Sequence, residues 1–373
     1  MIPRRFINLM MKDLRVGGSY WLSRLRPEEN LFYGSAKEAA AAGTEARREK
    51  RKPKRESTRQ LPSPDFRFQS SRSLDSTLGF MPFYDVGGGP KEGRIVVSDS
   101  AGNTHLYDAE ENSGEMLPPT REKSNWHRPI SVCIDAKNAV RADALYAINA
   151  SNSTNFKTLA YCNGDIMSWH WIDLPLPPYF LGKEDRTIKS YTLLEDNKTI
   201  CFSSVSDGGF GTYCFDTASL EWTKAGSWTL PFTGRVVRVP QLYNLHFGFH
   251  RSNHENIVAL ELPSPLDDGD APPKVLYQWR GFSHPERDHE GNYWSSIRDS
   301  NLLYLGNNRF CAAQFFGIFD EYHEDFSDDL VDTAAVLTGL EIVNGQANKA
   351  KLRMIKHKTR TYIFEGSSIE SVF

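Results

Sequence analysis

Three histidines at four-residue spacing are the sequence's first candidates for metal chemistry. On a helix, His246, His250 and His254 would align three imidazoles, a ligand set that zinc accepts. Apolar and polar residues alternate in the surrounding sequence Leu-His-Phe-Gly-Phe-His, however, as they do in a β-strand. No HExxH motif occurs. In strand geometry His246 and His250 share one face, which is the ordinary half-buried pattern. We therefore predict no metal site here.

An acidic stretch and a glycine triplet are the next candidates for ligand binding. Asp320 to Asp332 carries seven carboxylates, but it lacks the ligand spacing and turn glycine of a calcium loop. Gly87 to Gly89 is followed by Pro-Lys-Glu rather than Gly-Lys-Ser/Thr, so we expect a flexible turn instead of a phosphate loop. No Gly-x-Ser-x-Gly elbow is present. The sequence thus predicts no catalytic residue, no cofactor-binding residue and no cofactor.

A basic run interrupts a chain that is nearly neutral overall. Residues 47–59 hold eight basic and two acidic residues, a local charge of +6, whereas the whole chain carries -3 and the remainder therefore -9. The run contains a candidate nuclear-import patch, formed by Lys50, Arg51, Lys52, Lys54 and Arg55. A solvated linker without a receptor is the alternative. Nucleic acid is not a favoured partner because no aromatic residue is interleaved with these cations.

Cysteine usage and hydropathy bear on the compartment. The five cysteines form no CxxC pair and mostly lie among apolar residues, so we expect reduced core thiols and a cytoplasmic or nuclear protein. No apolar run approaches the ~18 residues of a membrane helix, and no membrane partner is predicted. Mitochondrial import through the basic N-terminus is the alternative localisation.

The N-terminal residues fit a hairpin as well as a presequence. Apolar runs at Phe6 to Met11 and Ser19 to Leu25 flank the turn signal Arg15-Val-Gly-Gly18. We predict that residues 1–34 form a hairpin that packs on the rest of the protein and closes it. A cleavable presequence, in which Asp13 is the one acid among many basic residues, is the alternative.

Residues 35–76 are predicted to form a short helix followed by a disordered basic linker. The text from Ser35 is rich in Ala, Lys, Glu and Arg, which favour helix. Ser35 and Glu38 have the spacing of a capping box. Pro53 then interrupts the pattern, and Ser, Pro, Arg and Gln dominate up to about residue 74.

From residue 77 to 366 the sequence pattern is that of an all-β domain. Short runs of Val, Ile, Tyr, Phe and Trp alternate with turn residues, and an aromatic-Asp pair ends strands at Tyr107-Asp108 and Phe215-Asp216. Units of roughly 40–50 residues match propeller blades, so we predict a kelch-like β-propeller of five or six blades. We expect residues 367–373 to form a disordered tail.

Four segments also resemble a known family. They are Arg4 to Leu9, Gly226 to Arg235, Leu245 to Phe249 and Leu352 to Lys358. Together they resemble a plant family of unknown function that is expanded in grasses and thought to be a kelch-like propeller. The resemblance implies a plant source and a propeller-like body, and it transfers no catalytic or ligand-binding residue.

Function follows from this architecture only in outline. We expect a non-enzymatic protein-interaction scaffold whose loops bind an unidentified protein, with an import receptor as a further partner of the basic linker. Trp126, Tyr179 and Trp294 are candidate binding anchors, although such residues more often belong to the core. The alternative is a small-molecule-binding propeller, or a hydrolytic or oxidative enzyme, that uses the central channel. Converging His, Asp and Arg side chains there would favour this alternative.

Overall fold

Strands account for most of the described backbone, as the frequency of β-branched and aromatic residues predicts. The two α-helices are α1, Pro27–Leu31, and α2, Ala36–Glu49, and a short 3₁₀ helix spans Pro240–Leu242. Neither α-helix combines the length and the apolar character that a membrane crossing requires among the described residues. The computed structural model describes residues 3–49, 60–70, 77–83, 92–120, 126, 128–134, 144–150, 155–162, 168–178, 187–205, 211–262, 272–282, 292–320, 329–344 and 352–373.

The described strands form six groups along the chain, and pairing within each group is antiparallel. Group one contains β1 Ile7–Asp13, β2 Ser19–Leu25, β3 Phe66–Gln69 and the last strand, β25 Ser367–Val372. Group two contains β4 Gly79–Pro82, β5 Arg94–Ser98, β6 Thr104–Asp108 and β7 Ser113–Leu117; group three contains β8 Pro129–Ile134, β9 Ala144–Asn149, β10 Phe156–Cys162 and β11 Ser168–Asp173. Group four contains β12 Thr187–Leu193, β13 Thr199–Val205, β14 Gly211–Asp216 and β15 Glu221–Gly226; group five contains β16 Phe232–Val239, β17 Leu245–His250, β18 Asn253–Leu260 and β19 Val275–Trp279. Group six contains β20 Tyr293–Ser296, β21 Asn301–Gly306, β22 Arg309–Asp320, β23 Asp329–Asn344 and β24 Leu352–Phe364.

One parallel contact joins two of these groups into a single sheet. β12 pairs with β16, with Ser190 opposite Gly234 and Tyr191 opposite Arg235. Groups four and five therefore form an eight-stranded sheet, and the described strands make five sheets in all. The first strands of two neighbouring groups thus run side by side in the same direction.

Group one combines both ends of the chain. β1 lies between β2 and β25, and the backbones of Asn8 and Phe373 exchange two hydrogen bonds of 2.8 and 3.0 Å. The predicted disordered tail at residues 367–373 is therefore wrong. This segment is a strand because β1 supplies its backbone partners and the cores bury Ile369 and Val372.

The segment predicted as linker, within residues 35–76, also contains a strand. β3 pairs with β2, and Phe66 stacks on Tyr107 with ring centroids 4.3 Å apart. Phe68 packs edge-on against Phe80 of group two. The contacts of these two phenylalanines thus order β3 as the edge strand of group one. The basic patch itself, Lys50 to Arg55, lies outside the described residues.

Buried apolar cores lie between successive groups. Met10 and Tyr20 of group one pack with Phe80 of group two, and further clusters join groups two to three, three to four, four to five and five to six. The last cluster packs Phe315 of group six with Leu9 of group one. The series of contacts therefore returns to its starting point, which is the arrangement of a propeller-like all-β protein.

The helices pack against the long strands of group six. α2 begins after Ser35, whose Oγ accepts the Glu38 N–H at 3.2 Å, as the capping pattern predicts. The Glu38 carboxylate accepts the N–H of Gly34, one residue earlier than an ideal capping box. Under α1, a Cβ on Gly339 would lie 2.3 Å from the Leu31 carbonyl oxygen, so only glycine permits this close approach.

A fully buried histidine ties the segment after α1 to group six. His357 Nδ1 accepts the Tyr33 N–H at 3.2 Å, and its Nε2 donates to Glu341 at 2.9 Å. Burial lowers the pKa of His357, although the Glu341 carboxylate opposes this effect. The neutral ring satisfies both contacts, whereas protonation would remove the acceptor that binds Tyr33.

The two aromatic-Asp pairs form turns of the kind that the sequence predicts. Asp108 Oδ1 accepts the N–H groups of the two residues that begin the next turn, at 2.9 and 3.4 Å, and Asp216 Oδ1 does the same at 2.7 and 3.1 Å.

Cys201 and Cys214 face each other on β13 and β14 and are joined by a disulfide. The expectation of reduced thiols is therefore wrong for this pair, because the strand register places the two side chains opposite each other.

Candidate functional site

A cavity of about 230 Å³ lies among strands of all six groups. Residues of β4, β8, β12, β16, β21 and β25, or directly adjoining them, line it. Each group therefore contributes to one shared site. Its five charged lining residues are Arg128, Arg235, Arg298, Asp299 and Glu370.

Glu370 on β25 connects two of the arginines. Arg298 donates from Nη2 to Glu370 Oε2 at 3.0 Å and from Nη1 to the Glu370 carbonyl oxygen at 2.5 Å. Arg128 Nε lies 3.6 Å from Glu370 Oε1. The side chains of Arg298 and Glu370 are only 14% and 8% exposed, so this pair is largely withdrawn from water. Burial lowers the pKa of Arg298, an effect that Glu370 opposes and Arg128 reinforces.

All three arginines lie at irregular points of the backbone. Arg235 follows Gly234, which has φ +65°, within a register shift between Thr233 and Val237. Arg128 has φ +52° and precedes β8, and Arg298 lies in the break between β20 and β21. Bulges and left-handed residues redirect side chains that a regular strand would send to its faces. The irregularities thus gather three cations around one cavity.

Arg235 differs from the other two arginines because no carboxylate of the described residues forms an ion pair with it. The Ser371 Oγ, which also lines the cavity, is buried with no hydrogen-bond partner among those residues. Arg235 lies opposite Tyr191 in the β12–β16 register, and burial raises the pKa of Tyr191, which Arg235 opposes. Donor groups with unused hydrogen-bonding capacity therefore face the cavity.

The remaining wall of the cavity is mainly apolar. Leu78, Phe80 and Pro82 contribute from group two, and Leu302 and Phe315 contribute from group six. The Leu78 N–H lies 3.4 Å from the hydroxyl oxygen of Tyr20, and this contact links the wall to β2. Apolar walls with a few polar groups are typical of small-molecule sites.

The three histidines at four-residue spacing lie in different environments. His246 is fully buried on β17, and burial lowers its pKa to about 3. His250 is half-buried, with Nδ1 accepting the Ser252 N–H, and His254 is exposed on β18. Within the described ranges, no group of three or more His, Cys, Asp or Glu side chains could hold a metal ion.

The other sequence candidates are core residues or lie outside the described residues. Trp126 is 3% exposed and stacks near Trp171, so it belongs to the core between groups two and three. Trp294 is half-buried against Phe316. Tyr179, the glycine triplet and most of the acidic stretch lie outside the described residues.

The sequence profile of a family described as "Protein of unknown function (DUF1668)" matches residues 4–362. The chain belongs to the DUF1668 family. The matched DUF1668 region includes Arg128, Arg235 and Arg298, whereas Glu370 lies beyond it. No curated protein is significantly similar to this DUF1668 protein.

Solved structures with a similar fold show low identity to this DUF1668 protein. The β-propeller domain of Cps50 (Swd1) from Myceliophteria thermophila is 9% identical, with a TM-score of 0.37 over 91% of each chain. The WD40 domain of SCAP from fission yeast is 12% identical, with a TM-score of 0.36 over 98% of this chain and 72% of the other. A protein from Lactobacillus plantarum is 11% identical, with a TM-score of 0.43 over 97% and 100% of the two chains.

Sequence reasoning missed the cavity residues of this DUF1668 protein. Arg128, Arg235, Arg298 and Glu370 lie far apart in the chain, and no local spacing links them. The sequence contains a weak sign of these positions at Gly234-Arg235 and at Arg298-Asp299, where glycine or polar residues interrupt the pattern of a β-strand. Only the order of the groups shows that these interruptions face each other.

Proposed function

We propose that the protein is a six-bladed propeller that binds a small anionic molecule in its central cavity without transforming it. Each strand group is one blade in this proposal, within the five or six that the sequence predicts. Of the two functions that the sequence left open, the cavity favours ligand binding over a pure interaction scaffold. The kelch-like type and nuclear import stay predictions.

The observation that carries the proposal is the convergence of three guanidinium groups on one cavity. Arg298 and Arg128 share Glu370, whereas no carboxylate of the described residues forms an ion pair with Arg235. Withdrawing arginine from water costs free energy unless an anion or a set of acceptors compensates it. A carboxylate or phosphate oxygen provides such acceptors in bidentate geometry.

Binding suits these side chains better than catalysis. The Glu370 carboxylate is held by Arg298 at 3.0 Å and lies 3.6 Å from Arg128, so both of its oxygens already have a partner. A carboxylate engaged in this way is not free to exchange a proton with a ligand. The cavity therefore has the means to hold an anion, and its one buried carboxylate serves to position arginines.

Calorimetric titration with small anions tests the proposal. Wild-type protein is titrated with acetate, malonate, inorganic phosphate and phenylacetate, and at least one should bind. Arg235→Gln should weaken that binding at least tenfold, since it removes a charge-assisted contact. Arg353→Gln, at an exposed position on β24, is the matched control and should bind as wild type does. Absence of any Arg235-dependent binding across this set contradicts the proposal.

A protein-interaction platform is the second candidate, favoured by exposed apolar side chains at one end of groups one and six. This rim patch comprises Leu14, Val16, Leu330, Val331 and Ile363. The Leu14 N–H donates to the Gly366 carbonyl oxygen at 3.0 Å, next to the ends of β23 and β24. Proximity labelling should lose specific neighbours when Leu330 and Val331 are both changed to Asp. An unchanged set of neighbours contradicts this role of the patch.

A further inference from the structure

The charged residues that line the cavity indicate how many negative charges its ligand carries. Three arginines face two acids, Asp299 and Glu370, so the lining has a net charge of +1. One negative charge on a ligand neutralises this lining. A dianion would leave an excess negative charge close to Glu370, which is 8% exposed and therefore weakly screened.

The cavity also has a polar and an apolar side. Arg235 belongs to group five, and Leu78, Phe80 and Pro82 belong to group two. Core contacts join group one to two, two to three and so on to six, and group six again to group one. Groups three and four therefore lie between groups two and five on one side, and groups six and one on the other. Arg235 and the three group-two residues thus lie on opposite sides of the cavity. A ligand whose charge reaches Arg235 therefore extends towards an apolar wall.

The size of the cavity limits the apolar body. A volume of about 230 Å³ lies below the ~300–1,000 Å³ range of drug-sized ligand sites, so the cavity suits a small ligand. Phe80 and Phe315 are among the apolar residues that line the cavity and would contact such a body. Asn301 and Ser371 supply further hydrogen-bonding groups beside the charge.

We infer that the ligand is a small monocarboxylic acid with an apolar or aromatic body, its carboxylate on Arg235 and its body against the β4 wall. This inference rests on the proposed function and adds the ligand class. Arg235 and Tyr191 face each other across the β12–β16 pair, so the carboxylate binds where groups four and five are joined. Glu370 selects against a second negative charge.

The test compares four probes that separate charge, body and valence. Phenylacetate has the expected chemistry, phenylacetamide lacks the charge, acetate lacks the body, and malonate carries two charges. In calorimetric titrations, phenylacetate should bind at least tenfold more tightly than each of the other three. Arg235→Gln should abolish this preference over phenylacetamide, Arg235→Lys should retain part of it, and Arg353→Gln should leave it unchanged.

A second variant tests the charge count. Glu370→Gln raises the net charge of the lining to +2, and it should improve malonate binding about tenfold relative to phenylacetate. Thermal unfolding confirms that each variant is folded before its titration is interpreted. An unchanged malonate-to-phenylacetate ratio in folded Glu370→Gln protein overturns the selective role of Glu370.

The outcomes distinguish this inference from the proposed function. If malonate or inorganic phosphate binds as tightly as phenylacetate and still requires Arg235, the anion site stands and the inferred ligand class is wrong. If phenylacetamide binds as well as phenylacetate, Arg235 does not recognise a carboxylate and the inference is wrong. If none of these anions binds, the inference and the proposed function fail together.

Discussion

β1 provides the sharpest test of how the chain closes, because its two faces lie in two different cores. Leu9 packs in the core between groups six and one, whereas Met10 packs in the core between groups one and two. Both side chains are 0% exposed. We expect Leu9→Ala and Met10→Ala each to weaken a separate contact between groups.

The size of the effect follows from complete burial. Truncation of a buried Leu or Met to Ala costs about 2–5 kcal/mol, since it removes apolar contacts and leaves a cavity. Domains are stable by only about 5–15 kcal/mol, so either substitution removes a large share of the total. The unfolding midpoint should fall by roughly 3–6 °C, and the double variant should fall further because the two side chains lie in different cores.

Tryptophan fluorescence during thermal and urea unfolding measures these changes. The chain has eight tryptophans, so the signal reports on several groups at once. Leu14→Ala, at a 49% exposed position in the β1–β2 turn, is the control and should change stability by less than about 0.5 kcal/mol. Deletion of residues 1–26 should abolish the cooperative transition. The closure would be refuted if Leu9→Ala and Met10→Ala both melted with the wild type.

Three further predictions concern contacts outside the cavity. Because burial lowers the pKa of His357, its contribution to stability should be full above pH ~6.5 and decline as the pH falls, by up to about 1.4 kcal/mol per unit. A His357→Gln variant should show a shallower decline than wild type rather than a flat profile, because the buried His246 contributes its own pH dependence in both proteins. Equal pH profiles would contradict the role of His357 as a neutral ring that bonds both Tyr33 and Glu341. Gly339→Ala should destabilise the protein by about 1–3 kcal/mol, since the added methyl meets the carbonyl of Leu31, and a calorimetric melt identical to wild type would refute this. The Cys201–Cys214 disulfide closes a short loop of sequence separation 13, so a reductant should lower the wild-type midpoint by the equivalent of about 2–3 kcal/mol and leave Cys214→Ala unaffected.

Local patterns predicted much of the fold. Alternating apolar residues predicted strands such as Gly93 to Asp108, where β5 and β6 form around a turn that Asp99 stabilises through the N–H groups of Ala101 and Asn103. The aromatic-Asp turns and the Ser35 cap were predicted for the same reason. Each depends on hydrogen bonds between residues that are near one another in sequence.

Contacts between distant segments explain the failures. Residues 367–373 contain three serines and too short an apolar pattern to predict a strand, and their strand exists because it pairs with the edge of β1. The disulfide depends on the register between β13 and β14, which composition does not determine. The cavity arginines depend on the order of all six groups, so no window of sequence contains the site.

The position of β1 has a consequence for synthesis of the protein in the cell. β1 emerges from the ribosome well before its partner β25, because more than 350 residues lie between them. At about 5–20 residues per second, the edge of β1 stays without its partner for on the order of tens of seconds. Leu9 lacks its group-six neighbours during this interval, so the nascent chain presents an apolar strand edge that other chains can pair with. The pairing of β1 with β25 can therefore form only after the strands between them have been synthesised.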